Sequence, residues 1–370
     1  METVPTQKFN DDLLLTADDQ KLATVRFPDL LHLLDFPELR DTFLSYDKPA
    51  NSAKRESRRV GSIAIVLGVL ALLGASAAPL YETSGVWWPR LLAGVSALLG
   101  VVSLLIGSIG TLSGASKHRW LCNRLMTERL RQFHFQTLVC RLPEILASMQ
   151  NEVAQKAFVE NRRSWFAEYR LSYQGHLPAR LKVVLDDDAD DDFLLHHDMH
   201  VGRPPNVPDA NLDRVFSAYR LLRLEHQLQY ASYKLRTDES VFSTSSARQL
   251  EILRNVSLAF VFVIFVTHLT VALLLAPGWT TLATNTYVHL GIIWMVIGIL
   301  AMRTLEEGLQ PAREVERYSR YRSSLISLLG RFDRAQDVEQ KIRVMQETER
   351  ASYQEMRGFL KTNHEGRFVL

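Results

Sequence analysis

Arg254–Arg303 reads RNVSLAFVFVIFVTHLTVALLLAPGWTTLATNTYVHLGIIWMVIGILAMR, and between its two terminal arginines there is no Asp, Glu, Lys or Arg. A helix needs roughly 20 apolar residues to cross a bilayer core of about 30 Å, so this stretch is too long for one crossing. Pro277–Gly278 and the polar run Thr280–Thr286 divide it, because Pro–Gly and clustered polar residues break a helix. The division predicts two membrane helices, at about 256–275 and 287–302. Two earlier runs, 60–78 and 91–116, are also uncharged and predict two more. Water-soluble domains seldom carry uncharged runs of this length. The expected fold class is therefore all-α, with four transmembrane helices in two hairpins and a cytoplasmic helical bundle.

Charge sets the expected orientation. Lys54, Arg55, Arg58 and Arg59 precede the first run, and Lys117, Arg119, Arg124, Arg129 and Arg131 follow the second. Arg248 and Arg254 precede the third, and Arg303, Arg313, Arg317, Arg320 and Arg322 follow the fourth. The short connection Pro79–Arg90 holds only Glu82 and Arg90 as charges, beside the pair Trp87–Trp88. Basic residues stay inside and tryptophans favour the interface. Both termini are thus expected in the cytoplasm, in a multi-pass membrane protein. The N-terminal METVPTQKFNDDLLLTADDQ is acidic and lacks an apolar core, so the first span is expected to act as its own insertion signal.

The chain reads as two copies of one plan: a polar lead-in, a membrane hairpin and a polar outgoing helix. The expected divisions are a polar segment over 1–28, a first repeat over 29–172, a linker over 173–208 and a second repeat over 209–370. The first lead-in, about 30–59, is expected to break at Pro37 and Pro49, and Pro311 is expected to kink or restart the fourth helix. Both copies enter from the same side, which implies a parallel repeat with an axis along the membrane normal. Leu221, Leu224, Leu228 and Ala231, and likewise Leu325, Leu329 and Phe332, recur at helical spacing, so these helices are expected to pair in a coiled-coil-like bundle. The linker holds DDDADDD (Asp186–Asp192) and HHDMH (His196–His200). Its ligand types suit a metal, but the spacing matches no closed site, and a solvated linker is the expectation. LKVVL (Leu181–Leu185) allows a short strand.

Several function classes are disfavoured. A net charge of +2 argues against nucleic acid as a partner. No Walker loop, GxGxxG, GxSxG, HExxH or paired CxxC is present, so an enzyme is not expected, nor a cofactor or resident metal. The two cysteines, Cys122 and Cys140, are expected as reduced thiols. Within the spans the polar exceptions are informative. Ser96, Gly100, Ser103 and Gly107 form small-xxx-small pairs that suit close helix packing or a pore lining, and His268 suits the same two roles. Outside the spans, Arg124, Glu128 and Arg131 share one helical face, and Arg317, Arg320 and Tyr321 occupy the matching place in the second copy. These six are the candidates for coupling a signal to the membrane.

The second half resembles the SLATT family of bacterial two-transmembrane effectors. The resemblance rests on RLEHQLQYASYKLR (Arg223–Arg236), on PAREVERYSRYR after the hairpin, and on MQETERASYQEMRGFL with the terminal GRFVL. YDKPANSAKRESRR and KHRWLCNRLMTERLR flank the first hairpin in a weaker version of the pattern. The resemblance implies an antiphage, abortive-infection effector that oligomerises and opens or disrupts the inner membrane. Its implied partners are the lipid bilayer, further copies of itself, and a cytoplasmic sensor protein or nucleotide signal as trigger. A membrane-anchored scaffold for a cytoplasmic partner and a constitutive channel are the rival expectations.

Overall fold

The computed structural model describes residues 11–78, 88–113, 115–186, 193, 209–237, 245–275 and 285–366. These are helical, with no strand among them. In chain order the helices are α1 (Ala17–Arg26), α2 (Leu31–Leu34), α3 (Pro37–Ser76), α4 (Trp88–Ser113), α5 (Ala115–Cys140), α6 (Leu142–Ser148), α7 (Glu152–Gln174) and α8 (Leu177–Leu185). There follow α9 (Asp209–Tyr219), a π-helical turn (Arg220–Glu225), α10 (His226–Lys234), α11 (Ser246–Leu275), α12 (Thr286–Leu309), α13 (Pro311–Arg334) and α14 (Val338–Glu365).

Local chemistry sets several boundaries. Thr16 and Asp19 cap α1 reciprocally, at 2.9 and 3.2 Å, each satisfying a backbone donor that the first turn leaves open. Asn151 caps α7 and Asn285 caps α12. Of the kink or restart expected at Pro311 the structure has the restart: α12 ends where Gln310 turns left-handed (φ 50°, ψ 43°), and α13 begins with Pro311. Proline suits a first helical position, where its missing N–H would have no intrahelical partner.

Two expectations need correction. LKVVL is helical, as the second half of α8, with no strand. Pro178 opens that helix, and Leu177, Leu181 and Val184 are buried on one side of it, a spacing of three to four that overrides the β-propensity of the valines. Pro37 starts α3, but Pro49 lies inside a continuous α3 and does not interrupt it. The buried Ala50 and Ala53 beside it pack well enough to offset a backbone bond lost to proline. The Asp187–Asp192 part of the acidic run and the whole of HHDMH lie outside the described residues, as does most of the Pro79–Arg90 connection.

The chain divides into two compact units, and both halves of the sequence contribute to each. The first holds the residues up to Asn51, Arg119–Leu235 and Glu316–Lys361. Its centre is α5, in which every residue from Arg129 to Cys140 is buried. Phe133 stacks on Tyr169 of α7 (5.0 Å), Phe135 meets Tyr219 of α9 edge-on (6.1 Å), and Trp120 meets Phe359 of α14 (6.1 Å). Cys122 and Cys140 are buried thiols, and burial raises their pKa to about 11 and about 12.

The second unit holds Ser52–His118, Arg236–Val315 and the chain from Thr362. Three helices, Pro37–Ser76, Ser246–Leu273 and Thr286–Leu309, are long and apolar enough to cross a membrane. Within α4 the apolar stretch Leu91–Gly107 is shorter. Large apolar side chains face outward along these helices, among them Leu98, Leu104, Phe262, Phe265 and Leu273, each more than 60% exposed. Soluble proteins rarely expose contiguous apolar patches beyond a few hundred Å². The multi-pass membrane character expected from the sequence is consistent with these helices.

Candidate functional site

The expected signal-coupling residues lie in the first unit, and Arg124, Glu128 and Arg131 among them line one polar cavity of about 190 Å³ from α5. Their spacing of four and three places them on one helical face. Asp47 and Asn51 enter from α3, Gln227 and Tyr230 from α10, Tyr318 from α13, and Glu355, Met356 and Phe359 from α14. The helices that lead into and out of both apolar pairs thus converge here.

The cavity wall is a connected ionic network. Arg131 donates from Nε to Asp12 Oδ2 at 2.8 Å and from Nη1 to both Glu128 oxygens at 3.0 and 3.1 Å. Arg124 pairs with Glu128 and stands 3.9 Å from Asp47. Burial pushes the Glu128 carboxyl up, but Arg124 and Arg131 outweigh it and hold its pKa at about 2. Burial likewise opposes the charge on Arg131, and Asp12 and Glu128 more than restore it. Glu128 and Arg131 therefore remain charged across the physiological range.

The second-copy candidates divide. Arg317 pairs with Glu355 of the cavity wall and lies 4.2 Å over the Tyr318 ring. Tyr321 is buried, with its hydroxyl 3.0 Å from Ser352 Oγ and 3.4 Å from Gln227, another wall residue. Arg320 stands apart, exposed and paired with Glu316 at 2.6 Å. Periodicity placed Arg317 and Arg320 together, whereas the packing separates them.

Sequence reasoning missed a pair next to this site. The π-helical turn presents Arg223, which donates in bidentate fashion to Glu349 of α14 at 2.8 and 2.7 Å. Tyr219 also donates to Glu349, at 2.8 Å, and the Arg223 guanidinium lies 4.7 Å over the Phe135 ring. Both charged side chains are at most 2% exposed. A signal existed: Glu349 lies on the buried stripe Ile342, Met345, Ser352, Met356 and Leu360, and an acid in an apolar stripe requires a partner.

The candidate residues of the apolar helices behave unequally. Ser96 is buried, and a Cβ on Gly74 of α3 would overlap its hydroxyl. Gly100 faces Ala71, with 3.6 Å from a built Cβ to the alanine methyl, and Ser103 donates to the Ala64 carbonyl at 2.8 Å. These three contacts pair α3 and α4 in antiparallel register. Among the described residues, nothing lies within 4 Å of a Cβ built on Gly107. His268 is exposed, and its Nδ1 donates back to the Ile264 carbonyl at 2.9 Å.

No group of three or more His, Cys, Asp or Glu among the described residues is arranged to hold a metal ion. No known protein family, curated protein or solved structure matches this chain.

Proposed function

We propose that this is a four-span inner-membrane effector, with both termini in the cytoplasm, whose cytoplasmic cavity couples a signal to the state of its membrane helices. The observation that carries the reading is the convergence of α3, α5, α10 and α13 on one polar cavity. α3 runs unbroken into the first apolar span, α5 starts just after α4, and α13 starts one residue after α12. A change in the Arg124–Glu128–Arg131 network would therefore act on helices covalently continuous with the spans. Such a network can serve as a two-state element, which a ligand biases by binding one arrangement better than the other.

The fourth crossing is assigned to α4, whose 26 residues extend about 39 Å at 1.5 Å each. Its antiparallel packing on α3 supports a first hairpin, and that of α11 on α12 a second. Self-association and a role in antiphage defence by opening or disrupting the membrane rest on the resemblance to SLATT effectors. A cytoplasmic protein or nucleotide is the trigger that this reading requires.

Inducible expression in bacteria, followed with a membrane-potential dye and by phage plaque counts, tests the proposal. Wild type should protect, and should depolarise cells on infection. Arg124→Glu puts a third acid beside Glu128 and Asp47. It should abolish protection or make depolarisation constitutive, while the chain remains in the membrane fraction. Protection by the variant equal to wild type would remove the cavity from the mechanism. Harmless expression without depolarisation or protection would favour a membrane-anchored scaffold.

A further inference from the structure

A groove of about 690 Å³ runs along α11 and α12 in the second unit, a volume in the range of small-molecule sites. Its lining is graded along the helix axes. Leu258, Val261 and Ile299 form one end, and Arg254, Arg303 and the carboxylates of Glu306 and Glu307 form the other. One helical turn, about 5.4 Å, separates Arg254 from Leu258 and Arg303 from Ile299. The N-terminal part of α11 and the C-terminal part of α12 share the charged end, as the antiparallel pairing requires.

The charges at that end are unspent. Arg303 precedes Glu306 and Glu307 by three and four residues, a spacing that permits helix ion pairs, yet it pairs with neither among the described residues. Arg254 likewise has no ion pair there. By contrast Arg313, at the rim of the same groove, pairs with Glu365. Two cations and two carboxylates thus remain available around one opening whose other end is apolar.

From this grading we propose that the groove holds a phospholipid with a primary-amine headgroup, of the phosphatidylethanolamine class. Arg254 and Arg303 take the phosphate oxygens, the geometry that guanidinium recognises best. Glu306 and Glu307 accept hydrogen bonds from the ammonium, and an acyl chain follows Leu258, Val261 and Ile299. An anionic headgroup without an amine would leave the two carboxylates facing phosphate. A quaternary amine could not donate to them. The proposal rests on the reading that α11 and α12 span the membrane.

The test is native mass spectrometry of the detergent-purified full chain offered equal amounts of phosphatidylethanolamine, phosphatidylcholine and phosphatidylglycerol. The amine lipid should be retained in preference to both others. R254Q/R303Q should lower its retention about tenfold, the equivalent of one charge-assisted hydrogen bond. E306Q/E307Q should shift the preference toward phosphatidylglycerol. Soluble glycerophosphoethanolamine should fail to displace the lipid, since it lacks the chain that fills the apolar end. Equal retention of the three lipids by wild type overturns the proposal, as does undiminished retention by monodisperse R254Q/R303Q. If that variant aggregates, the wild-type ranking and E306Q/E307Q decide. Alkaline carbonate extraction of native membranes separates the two levels. A chain released by carbonate overturns the spanning reading itself, whereas a chain retained without lipid preference overturns only the site.

Discussion

Helices α5 and α11 invert the ordinary relation between polarity and burial. α5 carries Arg119, Arg124, Glu128, Arg129 and Arg131, yet it is the buried centre of its unit. α11 has no charge after Arg254, and no residue of its most apolar stretch is buried. In water alone this would combine two penalties, desolvated cations and solvated Phe262, Phe265 and Leu269. The arrangement becomes favourable when each helix is matched to its surroundings. Arg129 lies 5.2 Å from the ring centres of both Tyr173 and Tyr353 and donates to Gln132 at 2.9 Å, while Arg131 has its carboxylates. α11 meets its match in lipid, as proposed. Burial here follows the availability of partners more than hydropathy.

The severest way to break this comparison is to remove one partner from the polar core. Arg223→Met leaves Glu349 buried beside Tyr219 with its main counter-charge gone. Breaking a buried pair from one side costs about 3–5 kcal/mol, so thermal unfolding of the detergent-solubilised chain should shift sharply downward. Replacing both partners, as R223M/E349L, should recover most of the loss, because no uncompensated charge remains. If R223M alone is as stable as wild type, the pair is dispensable and partner matching does not explain the core.

The two helices were also unequally legible in the sequence. Absence of charge over a span is a local, one-dimensional property, so α11 and α12 could be read directly, although α11 begins at Ser246 and not at about 256, and α12 ends at Leu309 and not at about 302. A buried arginine leaves no such mark. Its partners lie far along the chain, as Asp12 does from Arg131 and Glu349 from Arg223, and only packing brings them together. Periodicity found Arg124, Glu128 and Arg131 correctly as one face, but it could not distinguish Arg317, held against Glu355, from Arg320 in solvent. The small-xxx-small pattern found Gly100 without showing that Ala71 was its neighbour, and it overlooked Gly74, the glycine most closely approached by Ser96. LKVVL shows the same limit: five residues favour a strand by composition, and the helix is decided by Leu177 and Pro178 ahead of them.

The comparison sharpens from the apolar side with a charge on α11. Phe262 is 65% exposed and near the middle of the helix. Phe262→Arg should cost about 2.5–3.5 kcal/mol of insertion, seen as a drop in the glycosylated or membrane-protected fraction of a topology reporter. The same residue type is tolerated at Arg129 because rings and a glutamine receive it. Insertion unaffected by F262R would mean that this face of α11 meets water or protein.

Acid provides a smaller and more selective test of the core. His134 of α5 is buried, and burial first, then the positive charges of Arg162 and Arg223, lower its pKa from 6.5 to about 3. Between those values the unfolded chain binds the proton and the folded chain does not, so stability falls as the pH drops below 6.5. By pH 5 the loss is about 2 kcal/mol, from 1.36 kcal/mol per pH unit. His134→Phe should flatten the dependence in this window. Glu128 acts at lower pH: its stabilisation is complete above 4.5 and disappears as the pH falls toward about 2. An unchanged pH slope in the phenylalanine variant would assign the acid sensitivity to other groups.

The smallest expected effect compares two glycines of the apolar helices. Phe260 of α11 packs on Gly298 of α12 so closely that a built Cβ would lie 2.9 Å from its ring edge. Gly298→Ala must displace an aromatic ring, and overpacking of this kind typically costs about 1–3 kcal/mol. Among the described residues nothing lies within 4 Å of the equivalent position on Gly107 of α4, so alanine there should gain about 0.5–1 kcal/mol from the reduced backbone freedom of the unfolded chain. The two substitutions should therefore move the melting temperature of the solubilised chain in opposite directions, G298A down and G107A slightly up. The sign matters more than the size, because helix propensity alone would raise both. If G107A falls as far as G298A, then a surface of another copy or another helix covers Gly107. The small-residue stripe of α4 would then be an interface along its whole length, beyond the three positions where Ser96, Gly100 and Ser103 meet α3.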